Sequence, residues 1–279
     1  MFNFIANIFG YLLNFLYNLL NNYGFAIIIF SILVKLLLLP LTIKQQKTME
    51  KTTKLQEEMK ALQFKFKNDP EKLNKEMMDM YKRENMSPFS GCLSSIVQMV
   101  LILAVFYLVR SPLTYMKKIE NNIINDYTNR LEIKTSYPEV QVVKEFGGEN
   151  EEVYINMDFL GLDLSSVPTA DMSDFKTLII PFLYVVSSIV SMKMTLNMQN
   201  TGKDKKEEKK EKQGETTEEI MQSTSKSMSY MMPIMSFSIS LVAPLGLALY
   251  WLMSNVLMIV ERLILNIIKS KNEKKGELA

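Results

Sequence analysis

The stretch YGFAIIIFSILVKLLLLPL, Tyr23–Leu41, decides the fold. Its about 19 almost unbroken apolar residues are enough for a helix to cross a bilayer. Within them sits one lysine, Lys35. A charge at that depth is costly, and an ionisable residue inside a span marks function by default. The competing reading is a lysine whose stem snorkels to the interface, since Lys35 lies roughly 10 Å of helix before the polar stretch that begins at Thr42. Ser31 lies one turn before Lys35 and Thr42 two turns after it, so one helix face carries a narrow polar stripe. That stripe favours a wet cavity around the ammonium.

The rest of the chain fits a membrane protein with substantial aqueous parts. Of its 279 residues 48% are hydrophobic, yet the mean hydropathy is only +0.04, because lysines and glutamates gather in a few segments. There is no histidine and one cysteine, which removes the commonest metal ligand and any intramolecular disulfide. No metal or other cofactor is expected. A window of about 19 residues finds four further apolar segments, near Leu93–Val109, Thr177–Leu196, Tyr230–Val242 and Leu245–Ile268. Pro233, Pro244 and Gly246 punctuate the last two, which read as two helices joined by a tight turn at Ala243–Gly246. The first of this pair is short, about 20 Å against a hydrocarbon core of about 30 Å, and thins the bilayer beside it.

Before the first span, Met1–Asn22 is apolar without a lysine or arginine, so it lacks the start of a signal peptide. Asn3, Asn7, Asn14, Asn18 and Asn21 fall within about 60° of one another on a helical wheel. Set against Phe2, Ile5, Phe9, Leu12, Leu16 and Leu19, that stripe predicts a helix lying in the membrane interface. Charge counts orient the spans. Lys44–Glu84 holds eleven basic residues and belongs in the cytoplasm, whereas Leu113–Lys176 holds six basic and twelve acidic ones and belongs outside. The N-terminus is then outside and the C-terminus inside.

The aqueous segments differ in character. Leu55, Met59, Leu62 and Phe66, then Leu73, Met77 and Met80 beyond the turn residues Asn68, Asp69 and Pro70, predict a helical hairpin with a methionine-rich seam. The seam either packs the hairpin on itself or adapts to partners. Glu139–Phe146 and Glu151–Met157 alternate around Gly147–Asn150 and predict a small outer β-hairpin. Lys203–Glu219 is almost free of apolar residues and reads as a solvated linker. Within the spans, Ser94, Ser95, Gln98, Ser187, Ser188, Ser191, Tyr250, Trp251, Ser254 and Asn255 either bind helices together or, with Lys35, line a hydrated groove.

These residues carry a resemblance. Asn85–Tyr107, with Ser90, Gly91, Cys92, Leu93 and Gln98, resembles the second-helix signature of the YidC, Oxa and Alb membrane protein insertases. Phe159–Leu164 resembles the motif before the family's third helix. Met232, Pro233, Met235, Pro244, Gly246, Leu247, Tyr250, Trp251, Ser254 and Asn255 resemble its final-helix signature, and Lys35 and Pro40 stand where the family has a basic residue and a proline. The chain departs from the pattern at Lys35 for arginine, Ser94 for proline, Gly161 for tryptophan and Glu261 for glutamine. Glu261 is expected closer to the cytoplasm than Lys35, so the two pair only if their helices are offset.

The resemblance implies an all-α membrane protein of the short bacterial type, with five transmembrane helices around a hydrophilic groove open to cytoplasm and lipid. The expected division is an interfacial helix at 1–22, spans at 23–43, 91–112, 176–196, 229–243 and 244–268, and a cytoplasmic hairpin at 44–90. An outer loop at 113–175, a charged cytoplasmic loop at 197–228 and a tail at 269–279 complete it. The implied function is insertion and chaperoning of nascent membrane proteins, with no enzyme chemistry. The groove residues are Lys35, Ser31, Gln98, Ser191, Trp251 and Asn255, and the hairpin contacts for substrate or ribosome are Leu55, Met59, Leu62, Met77 and Met80. Implied partners are nascent membrane proteins, the ribosome and targeting machinery, a Sec-type channel and membrane lipid, with no DNA. Two rival classes are a channel or transporter using the polar seam, and an intramembrane hydrolase built on a Ser31–Lys35 dyad.

Overall fold

A computed structural model describes residues 2–84, 90–132, 135–171, 174–200, 231 and 234–276. It is mostly helical and divides into two units: residues 1–36, 103–194 and 210–279, and residues 37–102 and 195–209. The chain runs through α1 (Phe2–Leu20), α2 (Tyr23–Lys65), α3 (Pro70–Arg83) and α4 (Ser90–Arg110), then a π-helical turn at Leu113–Lys117. There follow α5 (Asn121–Arg130), α6 (Pro138–Phe146), strands β1 (Asp158–Phe159) and β2 (Leu162–Asp163), and a 3-10 turn at Phe175–Leu178. Helices α7 (Ile179–Asn200), α8 (234–242) and α9 (Leu245–Gly276) complete it. Three segments among the described residues are long and apolar enough to cross a membrane: Tyr23–Thr48, Phe175–Thr195 and Leu245–Ile268.

In the first unit, α1 and α2 meet at a turn that asparagine makes affordable. Asn21 takes a left-handed φ of 48°, and Asn22 accepts at its side-chain oxygen from the Phe25 N–H, satisfying one of the orphan donors that open α2. Phe9 contacts Phe30 edge-on at 5.5 Å between ring centroids. Phe9 lies about 16 Å of helix before the turn and Phe30 about 10 Å after it, so α1 doubles back over the start of α2 at an acute angle. The buried face of α1 is Ala6, Phe9, Leu13, Leu16 and Tyr17, turned away from the expected apolar stripe toward its small residues. Ala6 and Gly10 are the reason: a Cβ on Gly10 would stand 1.8 Å from the Tyr115 carbonyl oxygen of the π-helical turn.

The segment between α4 and α7 corrects the expected strands. Residues 138–146 form the helix α6, opened by Pro138 in its first turn, with Glu139, Val140, Val142 and Val143 buried. The alternation of Val140 and Val142 imitates a strand, but Val143 extends it to a helical face that packs inward. Residues 151–157 pair with no strand; the described sheet is the two-residue antiparallel ladder of Asp158 with Asp163 and Phe159 with Leu162. Its turn places Leu160 and Gly161 at positive φ, 55° and 78°. Phe159 then packs edge-on against Phe25, and Tyr23 N–H donates to the Asn156 carbonyl, tying the sheet to the start of α2.

This layer, residues 113–171, also gathers the other helix ends of the unit. Leu245 N–H donates to Ser166 O, Gly246 N–H to Leu164 O and Thr169 N–H to Leu241 O, which fixes the α8–α9 break at residues 243–244. The 3-10 turn before α7 contacts β2, and the turn after α4 contacts α1. So α2, α7 and α9 start at the layer while α4 and α8 end there.

In the second unit α2 continues through Pro40 to Lys65 and pairs with α3 in an antiparallel hairpin. Asp69 caps α3 by accepting from Lys72 N–H, with Pro70 in the first turn. Tyr81 Oη donates to Met59 Sδ at 3.7 Å, and Arg83 forms an ion pair with Glu58. Most of the charged loop expected at 197–228 lies outside the described residues.

Candidate functional site

Burial in the first unit changes along its helices. On α2, Tyr23, Ala26, Ile27, Phe30, Ser31 and Val34 are buried, and on α9 Leu245 and Leu247 to Tyr250 are buried. Beyond Val34 and beyond Tyr250 no described residue of either helix is buried. Gly246 permits the tight end, because a Cβ there would come within 3.3 Å of the Tyr23 ring and 3.7 Å of Ile27. The polar groups begin where the dense packing stops.

Lys35 stands at that boundary. Its Nζ lies 2.5 Å from Glu261 Oε2, with side-chain exposures of 23% and 10%. The pairing leaves Lys35 partly exposed and its partner nearly enclosed. Ser31 is buried and its hydroxyl donates to the Ile27 carbonyl at 2.7 Å, a local bond that offers a Ser–Lys dyad no support.

The remaining groove candidates lie on the facing surfaces of α7 and α9. Trp251 tilts against Tyr184 at 5.9 Å, and Asn255 Nδ2 donates to Ser188 Oγ at 2.7 Å and to Ser187 Oγ at 3.4 Å. Ser191 Oγ donates to Met258 Sδ at 3.8 Å, and Arg262 Nη1 donates to the Ser191 carbonyl at 2.9 Å. Positions 251, 255, 258 and 262 repeat at helical spacing and meet 184, 188 and 191 in the same order, so α7 and α9 run parallel. The sequence Tyr23 beside Gly246 and Lys35 beside Glu261 makes α2 parallel to α9 as well. Ser191 and Asn255 thus take part in hydrogen bonds between α7 and α9, Trp251 lies in the same seam, and Lys35 pairs with Glu261 of α9, while Ser31 is turned into packed surroundings. Gln98 lies on α4 in the other unit, and its side chain is outside the described residues.

Sequence reasoning missed Arg262. Its signal was present: a cation inside the last apolar stretch, seven residues after Asn255 and so on the same face. The hairpin residues take a different position from a free contact surface. Met80 is 2% exposed, and Leu55, Met59, Leu62 and Met77 are half-buried, so the methionine seam packs largely within the hairpin. Among its described side chains the exposed large apolar ones are Phe64 and Met78.

Outside the spans, one carboxylate is central to the outer layer. Glu139 accepts from Thr114 N–H at 2.9 Å and from Thr114 Oγ1 at 2.7 Å, fastening α6 to the π-helical turn. Burial pushes its carboxyl above the ordinary range, against the pull of the Thr114 donors. Asp171 moves the other way: burial is outweighed by the Lys144 ammonium at 3.0 Å, which lowers it. Among the described residues no group of three or more metal-ligating side chains is gathered.

Comparison with known proteins agrees with this helical, membrane-directed architecture. Residues 15–273 match the family described as 60Kd inner membrane protein. A protein of Fusobacterium nucleatum named membrane protein insertase YidC is 27% identical over 262 residues, covering 94% of this chain and 95% of that protein. One of the same name from Treponema denticola is 26% identical over 262 residues, covering 94% of this chain but 37% of the relative. A third, from Buchnera aphidicola, is 42% identical over 100 residues, or 36% of this chain and 19% of that one. The chain therefore spans little more than a third of the Treponema protein and nearly all of the Fusobacterium one. The relatives are named as insertases, and with three helices fit to cross a membrane this chain is a bacterial membrane protein. The match over residues 15–273 settles its kinship: the chain belongs to the 60Kd inner membrane protein family, that of the YidC, Oxa and Alb insertases.

Proposed function

We propose that this protein inserts nascent membrane proteins into the bacterial membrane and helps them fold, through a groove closed on the outer side and open to cytoplasm and lipid. The observation that carries the reading is the change in packing: dense around Tyr23, Ile27, Phe30 and Leu245–Tyr250, then looser where Lys35, Glu261 and Arg262 stand. Lys35 lies about 18 Å of helix from Tyr23, past the midpoint of a hydrocarbon core of about 30 Å. Water entering from the inner side as far as that charge leaves only the outer part of the crossing dry. A polar substrate tail then has less apolar thickness to pass, while the substrate's own apolar helix leaves sideways into lipid.

The direction of the helices supports a reading with five crossings. Three parallel spans need two returns, and α4 and α8 end at the layer where α2, α7 and α9 begin. The apolar stretch Tyr230–Val242 is only about 20 Å long as a helix, so the bilayer thins beside it. The excess of basic residues in the α2–α3 hairpin supports a cytoplasmic hairpin, with the N-terminus outside and the C-terminus inside. The hairpin, by Phe64 and Met78, meets substrate, ribosome or targeting machinery, and a Sec-type channel serves as companion.

The test is insertion of a small single-span substrate with an acidic outer tail into proteoliposomes. Wild type and Lys35→Arg are expected to insert it, and Lys35→Ala to lose most of the insertion. Equal activity of all three would reduce Lys35 to a snorkelling lysine, and no insertion above protein-free liposomes would refute the function.

A further inference from the structure

The turn between β1 and β2 carries a side chain that its folding does not call for. Leu160 and Gly161 join the paired residues Phe159 and Leu162, and both hold positive φ, 55° and 78°. Two-residue turns of this kind favour asparagine before glycine, because a leucine is strained in the left-handed region. Leu160 gains no packing within the protein in exchange, being 78% exposed. Phe159 beside it is 7% exposed and lies so near α2 that a Cβ on Gly24 would stand 2.3 Å from its ring.

Other exposed apolar side chains surround the turn. Phe25 meets Phe159 edge-on, and the 3-10 turn that contacts β2 presents Phe175 and Leu178, with Ile179 following. Phe25 lies in the first turn of the span Tyr23–Thr48, and Phe175 begins the span Phe175–Thr195. The patch is therefore continuous with the surfaces by which two spans enter the bilayer. Polarity along the ladder runs the matching way: Asp158 and Asp163 pair at its end away from the turn. Asp158 Oδ1 also accepts the Gly161 N–H at 3.1 Å, so this backbone donor at the tip is satisfied without water.

We propose that the 159–162 turn is a membrane-inserted wedge, with Leu160, Phe25 and Phe175 sunk among the upper acyl chains of the leaflet where α2 and α7 begin, and bilayer lipid as the partner of the patch. An apolar medium removes the cost of exposing a large aliphatic side chain, which in water would add to the strain of its backbone. The turn then sets the depth of the 113–171 layer by its own contact with lipid. The inference needs only that the chain spans a membrane, and it goes beyond the insertase reading.

The experiment places the full-length chain, with its one cysteine removed by Cys92→Ser, in liposomes of phosphatidylethanolamine and phosphatidylglycerol. Bimane is attached through Leu160→Cys, Phe175→Cys or Gly148→Cys, one at a time. Gly148 reports the water side, because a Cβ there would meet nothing within 4 Å and Glu145 and Glu149 are exposed beside it. Quenching by lipid with a nitroxide high on the acyl chain is expected to be at least about threefold stronger at positions 160 and 175 than at 148, and quenching by aqueous iodide weaker by a similar factor. Phe175→Cys lies outside the strained turn and keeps the proposal open to refutation if Leu160→Cys does not fold. Iodide quenching at 160 or 175 equal to that at 148 puts the patch in water and overturns the proposal. Protection from both quenchers puts protein over it, a second copy or another partner, and overturns it equally.

Discussion

Replacing Glu139 by alanine is expected to release the outer layer at a place that can be read directly. The carboxylate is 7% exposed and accepts two bonds from Thr114, one from the backbone N–H and one from the hydroxyl. Alanine strands both donors. A buried amide without a partner costs about 1–3 kcal/mol, and the hydroxyl, which can rotate toward another acceptor, adds about 1 kcal/mol. A local loss of about 3 kcal/mol corresponds to opening the 113–117 turn about 150-fold more often. Hydrogen exchange of the Leu113–Lys117 amides in detergent micelles measures that opening. Glutamine keeps an acceptor for the Thr114 N–H and is expected to cost about 1 kcal/mol or less. The pH dependence has a definite sign. Because burial raises the Glu139 carboxyl above its ordinary 4.5, the folded protein binds that proton more tightly than the unfolded chain. Its contribution to stability therefore falls as pH rises from 4.5 through the raised value, and Glu139→Gln is expected to flatten that window. Asp171, lowered from 3.8, acts below it: its contribution is present at higher pH and disappears as pH falls through its depressed value. Exchange in Glu139→Ala within about threefold of wild type would refute the view that this carboxylate holds the turn.

Two further substitutions probe the same layer. Gly10→Ala sets a methyl against the Tyr115 carbonyl oxygen, 1.8 Å away, and since the obstacle is backbone, α1 must shift; a loss of about 2 kcal/mol or more, seen as a lower melting temperature in detergent, is expected. Leu160→Gly relieves a leucine held at φ 55° that is 78% exposed, so melting temperature is expected to rise by the equivalent of about 1 kcal/mol, with a fall counting against strain at this turn.

What the sequence made legible was whatever depends on local pattern. Tyr23–Leu41 is long and apolar enough to be read without knowing its neighbours, and Asn68–Pro70 punctuates the hairpin by turn chemistry alone. Residues 138–146 failed because Val140 and Val142 fit a period of two as well as a helix, and only tertiary burial of Val143 and Glu139 decides between them. The face of α1 shifted for a similar reason: an asparagine stripe marks the polar side, but close approach at Gly10 selects the packed one. The pairing of Lys35 with Glu261 stayed open because sequence carries no vertical register between helices.

That register also accounts for where the charges meet. Gly246 lies against Tyr23, so depth along α2 and α9 can be counted from one level. Lys35 then lies about 18 Å below it and Glu261 about 22 Å, an offset of roughly 4 Å that a lysine stem spans without distortion. A methyl at residue 246 would require the Tyr23 ring to give by a few tenths of an ångström, and a bulkier side chain would press α9 away from α2 and strain the register that brings the pair together. The close contact of Gly246 with Tyr23 thus bears on two features at once: the packing of that end, where Tyr23 is 1% and Leu245 0% exposed, and the register that sets Lys35 against Glu261 at the level where packing loosens. A side chain added at residue 246 is expected to disturb both together.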